Sequence, residues 1–396
     1  MRRNFLPILG LLSLFVLGSC SAERDPKIAS LKHAIGVADS QLLDAAAELD
    51  TTNCFPRSLM PKFRAVDAKD WTSGFFPGSL WQCYRFTGDE KLLAEAEKYT
   101  GRLEGIQYYK GTHDLGFMVF CSFGQQMQTL HDRHSEAVIV EAAKSLVSRC
   151  DPRIGLIRSW DFGEWNYPVI IDNMMNLEML FWASKHTGDP VYRDVAVRHA
   201  DITMKNHFRD DASSFHVVSY NDDGTVESRG TFQGYSDSSA WARGQAWGLY
   251  GYTMCYRETG DAKYLKHAER IADFIMHHPN TPADRIPYWD YNAPDIPDAP
   301  RDASAAAVVS SALFELSTLV PEGKRYFDYA ETLLMNLSSD AYLARKGANG
   351  GFILMHSVGH LPADSEIDTP LNYADYYYLE AIGRYLSLRG LDPRRI

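Results

Sequence analysis

Basic charge is in short supply: 40 Lys and Arg face 51 Asp and Glu, a formal net charge of −11. General nucleic-acid binding leaves a basic footprint, so that class is excluded. Cysteine is scarce too, with 6 in 396 residues. Setting Cys20 aside leaves Cys54, Cys83, Cys121, Cys150 and Cys255, an odd set without a CxxC pair. That argues against a disulfide framework and against a zinc site, and Cys83 and Cys121 read as small buried hydrophobes. No HExxH, EF-hand loop, Walker A or GxGxxG text occurs, so neither metal nor nucleotide cofactor is expected in the chemistry. A Pro/Gly/Ser-rich linker is also missing, and residues 21–396 read as a single domain. Nothing in the sequence sets an oligomeric state.

No apolar run reaches the length of a membrane-spanning helix. The longest, Phe5 to Leu17, follows Arg2 and Arg3 and is short for a bilayer. Residues 1–20 therefore read as a targeting segment. Leu17-Gly18-Ser19-Cys20 resembles the lipobox of bacterial lipoproteins, in which Cys20 is lipidated after cleavage. The expectation is an exported lipoprotein, periplasmic or membrane-anchored, that meets the membrane only through its acyl chains.

Aromatic residues, by contrast, are plentiful: 8 Trp, 22 Tyr and 19 Phe. They suit a carbohydrate cleft and equally a large core. The dominant period is helical, with segments near 28–48, 75–87, 90–107, 117–131, 135–149, 173–187, 190–206, 239–258, 262–277, 303–318, 323–338 and 371–388. Three turns share one text: Phe86-Thr87-Gly88-Asp89, His186-Thr187-Gly188-Asp189 and Glu258-Thr259-Gly260-Asp261. Gly closes one helix and Asp caps the next, so each unit is a helix hairpin that needs neighbours to bury its apolar face. Six hairpins close into an all-α (α/α)6 barrel. An open solenoid would have more uniform repeats. The loops at 109–116, 151–171, 207–238 and 279–301 belong on the rim opposite the tight turns and should wall a pocket.

Four segments carry candidate chemistry. Asp114 and Asp172 each stand where a loop enters a helix, a position that an N-cap alone explains. The run Asp172-Asn173-Met174-Met175-Asn176 is unusual because it puts polar groups at the head of an apolar helix. In Gln233 to Gly248, Trp241, Arg243 and Trp247 crowd a helix start. An acidic sugar would use the guanidinium and the indoles, and a salt-bridged core would use them as readily. His216 is a lone loop histidine, usually structural. Trp71-Thr72-Ser73-Gly74-Phe75-Phe76-Pro77-Gly78 places two glycines around aromatics, for a ligand's approach or a tight helix entry. The pair His131 and His134 reads as a solvated inter-helix turn.

Together these segments resemble the unsaturated glucuronyl hydrolases of glycoside hydrolase family 88. The resemblance rests on Trp71 to Gly78, His113 to Phe117, Asp172 to Glu178, Trp241 to Gly248 and Ala374 to Glu380, in order across nearly the whole chain after Cys20. It implies an (α/α)6-barrel catalytic domain over 21–396, with Asp172 as general acid/base and Asp114 as its assisting carboxylate. It further implies that His113, His216, Gln233, Trp241, Arg243 and Trp247 bind the sugar, and that Trp71 stacks on a ring. The implied substrate is the 4,5-unsaturated uronate that lyases leave at the non-reducing end of an oligosaccharide, usually from glycosaminoglycans. The related family 105, acting on unsaturated rhamnogalacturonyl fragments, shares barrel and chemistry but fits Gln233 to Trp247 less well. A glycan-binding lipoprotein without catalysis would not need both Asp114 and Asp172. The C-terminal rim Met355 to Pro362 has neither Lys nor Arg, which favours unsulfated or lightly sulfated substrates.

Overall fold

The computed structural model describes residues 25–59 and 62–396. The targeting segment expected over 1–20, with Cys20, lies outside the described residues. The three repeated turns close alike. Gly88, Gly188 and Gly260 adopt positive φ (72°, 75° and 70°), which costs glycine nothing. Thr87, Thr187 and Thr259 each donate a hydroxyl to the carbonyl four residues back and accept the N–H of the following Asp. Asp89, Asp189 and Asp261 then accept an N–H from the first turn of the next helix. His131 does the glycine's work in a fourth turn, at φ 54°, and Asp132 caps the helix after it.

Twelve α-helices are present among the described residues. They are α1 (Pro26–Glu48), α2 (Phe75–Thr87), α3 (Glu90–Gly101), α4 (Phe123–Leu130), α5 (Arg133–Val147), α6 (Leu177–Thr187), α7 (Pro190–Asn206), α8 (Ala242–Thr259), α9 (Ala262–His277), α10 (Ala303–Ser317), α11 (Lys324–Leu337) and α12 (Asn372–Leu388). Even-numbered helices form the inner ring, and α12 packs back against α2 to close it. Burial distinguishes the two rings. From Ala242 to Cys255 every residue of α8 is buried, whereas α9 buries only Tyr264, His267, Ala268, Ile271, Ala272 and Ile275, one stripe at helical spacing. Each fully buried Leu, Ile or Val side chain stabilises the barrel by roughly 1.5–3 kcal/mol relative to exposure. The ends of the described chain also meet: Lys27 of α1 pairs with Glu331 of α11, and Arg389 with Asp25.

The barrel is therefore the expected (α/α)6 architecture, with small β elements added in its loops. These are β1 (Phe55–Ser58) with β2 (Arg64–Val66), β3 (Cys150–Asp151) with β4 (Leu156–Ile157), and an antiparallel sheet of β5 (Pro168–Ile170), β6 (Val217–Tyr220) and β7 (Val226–Gly230). They are too short to show an alternating pattern in sequence. Three helix ends also differ. The expected 90–107 helix stops at Gly101. The 117–131 helix begins as a wide turn, with Cys121 N–H bonded to the Gly116 carbonyl (3.2 Å), before α4 starts at Phe123. Before α6, residues Ile171–Asn176 wind as a tighter 3-10 turn.

Every long connection runs from an outer helix to an inner one, so all lie at the rim where the inner helices begin. Besides the four expected there, residues 49–74 and 338–371 belong to this rim. The glycines of the Trp71 segment serve helix packing. A Cβ at Gly74 would lie 2.2 Å from the Phe117 carbonyl oxygen, and one at Gly78 2.2 Å from that of Cys121. The five cysteines within the described residues are free, with Cys83, Cys121 and Cys255 buried.

Candidate active site

The rim encloses a cleft of about 440 Å³. Trp71, His113, Asp114, Asp172 and Gln233, all singled out from sequence, line it. What brings the two aspartates onto one wall is a set of buried polar ties. Ser159 accepts the His113 N–H at its carbonyl (3.1 Å) and the Ile170 N–H at its hydroxyl (2.9 Å). Asn173 donates to the Ile157 carbonyl (2.9 Å), and Asn176 accepts the Phe117 N–H (3.1 Å). This accounts for the polar residues heading an apolar helix: they lock the Asp172 turn to the segment carrying Asp114. Buried amides without such partners would be costly.

His216 reaches Asp172 through the sheet. Val217 pairs with Ile170, the Ile171 N–H bonds the His216 carbonyl (3.1 Å), and His216 Nε2 lies 3.5 Å from Asp172 Oδ2. The Nδ1 atom accepts two backbone N–H groups, from Phe232 (3.0 Å) and Gln233 (3.1 Å). An imidazole accepting at Nδ1 carries its proton on Nε2, which therefore faces the carboxylate. Asp172 Oδ2 is buried without a hydrogen-bond partner among the described residues. Asp114 is better supplied, with the Thr112 hydroxyl at 2.6 Å and His113 Nε2 at 3.1 Å.

Arg243 and Trp247 are not among the residues that line this cleft. Arg243 is fully buried; it pairs with Asp302 (3.3 Å) and donates to the carbonyls of Val358 and Gly359 (2.8 Å to the latter). A cation on a fully buried helix start must be neutralised there, and it consequently pins the C-terminal rim. Trp247 is packed between Phe117 and Tyr377. Trp241 is buried as well, its ring 4.6 Å from that of His216 and 4.3 Å from the Arg243 guanidinium. It supports the histidine from behind.

The cleft also has residues that sequence reasoning passed over. Trp160, Phe162 and Phe232 form an aromatic wall, and Lys69 with Tyr109 stands in the 49–74 and 102–122 loops. The dense text Trp160-Asp161-Phe162-Gly163-Glu164-Trp165 was the available signal for the wall. Arg57 binds Glu366 through two nitrogens (2.8 and 2.9 Å) and Asp70 through a third, joining rim segments far apart in sequence. Among the described residues, no group of three His, Cys, Asp or Glu is arranged to hold a metal ion.

The comparisons with known proteins agree with this geometry. Residues 47–255 match the pattern of Glycosyl Hydrolase Family 88. An unsaturated glucuronyl hydrolase of Formosa agariphila is 50% identical over 343 residues, covering 85% of this chain and 86% of that protein. A crystal structure of an unsaturated glucuronyl hydrolase specific for heparin superposes with a TM-score of 0.89 at 51% identity, over 92% of this chain and 99% of that one. The unsaturated glucuronyl hydrolase structure from a Bacillus species, described as responsible for glycosaminoglycan degradation, gives 0.84 at 33% identity, over 91% and 97%. A buried carboxylate facing an imidazole proton, a second carboxylate on the same cleft and these likenesses lead to one conclusion: the chain belongs to glycosyl hydrolase family 88 and is a glycoside hydrolase.

Proposed function

We propose that the protein removes the 4,5-unsaturated uronic acid from the non-reducing end of lyase-generated oligosaccharides, with Asp172 as the proton donor. The observation that carries this reading is the buried Asp172 carboxyl, which lines the cleft and turns its unpartnered Oδ2 to His216. The substrate's C4=C5 bond is a vinyl ether. Transfer of a proton from Asp172 to C4 places positive charge on C5, and the ring oxygen shares it. Water then adds its oxygen to C5 and returns a proton to Asp172. The resulting hemiketal opens, and the C1 substituent leaves as the free alcohol.

Acid and base are thus one carboxyl, and the paired-carboxylate geometry of ordinary glycosidases is not required. Similarity to unsaturated glucuronyl hydrolases favours this reading over the rhamnogalacturonyl one.

The test is loss of the near-ultraviolet absorbance of unsaturated disaccharides from hyaluronan, chondroitin, heparin and rhamnogalacturonan. Loss on the glycosaminoglycan members is expected. Asp172→Asn should lower kcat by about 10³-fold or more while binding persists. Turnover near that of the unaltered protein would remove Asp172 from the role. We also propose export as a lipoprotein anchored at Cys20, supported by the Leu17 to Cys20 text.

A further inference from the structure

Both ends of the folded chain lie at the tight-turn end of the barrel. Helix α1 runs from Pro26 to Glu48 and hands over to the 49–74 connection, which belongs to the rim. Its first turn is therefore at the opposite end. A helix of 23 residues rises about 34 Å, so Asp25 stands roughly that far from the catalytic mouth. Arg389, just past α12, pairs with Asp25 (3.1 Å) and holds the two ends side by side. Arg394 lies against the tight turn between α2 and α3. A Cβ at Gly88 would meet its guanidinium carbon at 3.5 Å, and its Nε donates to the Arg85 carbonyl (3.2 Å).

Five residue steps separate Cys20 from Asp25. However those residues are arranged, five steps of backbone reach about 18 Å at most. A lipid on Cys20 would hold Asp25 within about that distance of the headgroups, roughly half the length of α1. With the mouth turned to the bilayer, Asp25 would stand about a full helix length away, and the tether could not span the gap.

Charge beside the tether agrees with this geometry. Residues 389–396 carry three arginines against one aspartate, in a chain of net charge −11. Arg389 pairs with Asp25 and Arg395 with Asp392, whereas Arg394 has no ion pair among the described residues. Cations near a leaflet containing anionic lipid are attracted to it within a Debye length. The capping aspartates Asp89, Asp189 and Asp261 share this end of the barrel, so the tether sets the orientation and the arginines favour the corner beside it.

We propose that the partner of the tight-turn end is a lipid surface, and that the catalytic mouth opens away from it into the aqueous phase. This rests on the reading of Cys20 as the anchor. An oligosaccharide whose non-reducing end enters the mouth then keeps the rest of its chain clear of the bilayer.

The experiment uses the full chain, made in a bacterial host that lipidates it, with the partly exposed Cys54 and Cys150 replaced by serine. A fluorescent donor is attached at Glu90→Cys, beside the Gly88 turn, or at Ser238→Cys, in the rim connection 207–238; both positions are exposed. Thermal melts check that the labelled proteins are folded. Each is placed in vesicles of phosphatidylethanolamine and phosphatidylglycerol that carry an acceptor on the lipid headgroup. Energy transfer is expected to be greater from position 90 than from position 238. Lipidated protein with equal transfer from the two, or with more from position 238, would overturn the orientation and leave the anchor standing. Protein without fatty acid that stays in the soluble fraction would defeat the anchor reading and the orientation with it.

Discussion

His216 has one nitrogen occupied by two backbone N–H groups and the other turned to Asp172. That is a rigid way to present a single N–H to a carboxyl. From 3.5 Å it steadies the anion left after proton transfer. His216→Ala should therefore lower kcat by about 10²-fold, the scale of a misplaced catalytic group, with KM little altered. A lowered kcat with KM and the thermal midpoint unchanged separates this role from a packing defect. A mere lone loop histidine in the sequence, this residue acquires its meaning from the pairing of β5 with β6. Arg243 shows the converse. Its helix position was legible, but its protein partners, Asp302 and the two carbonyls that meet it, come from distant segments.

The rim is built from connections that hold one another at the level of elements. Glu366, almost wholly buried, takes Arg57 and Arg64 and the Ser58 hydroxyl, and so ties the 338–371 connection to β1 and β2. Burial works against its charge, but Arg57 together with Ser58 and Arg64 outweighs this and holds the carboxyl below its ordinary range. A carboxylate with a folded pKa below the unfolded one contributes stability that is fully present above about pH 4.3 and is lost as pH falls through the folded value. Glu366→Gln should consequently lower stability by about 3 kcal/mol at neutral pH, with part of the Arg57 charge still met by Asp70. The difference from the unaltered protein should shrink as pH falls below about 4. Thermal melts between about pH 3 and 7 check both statements. The helices of the barrel were legible because their period and caps are local, whereas β1 to β7 were not. Strands of two to five residues have no room for a period, and their existence depends on the partner across the loop.

For the whole molecule, the closed ring puts every tight turn at one end and every long connection at the other. Chemistry is concentrated at a single mouth for that reason. Export would then present that mouth to oligosaccharides outside the cytoplasm. Cys20→Ala is expected to abolish incorporation of labelled fatty acid and to release the protein into the soluble fraction, with specific activity unchanged; labelling that survives the substitution would refute anchoring at Cys20. By itself the sequence determined what short-range physics determines: the hairpins through Thr-Gly-Asp turns, the helix count, the apolar stripes, and the two aspartates at helix entrances. Only the tertiary structure decided which polar groups meet. Asp114 reaches Asp172 through Ser159, Asn173 and Asn176, and Arg57 reaches Glu366 across 309 residues. Such contacts depend on how the rings close, and no pattern within one helix or one loop encodes that closure.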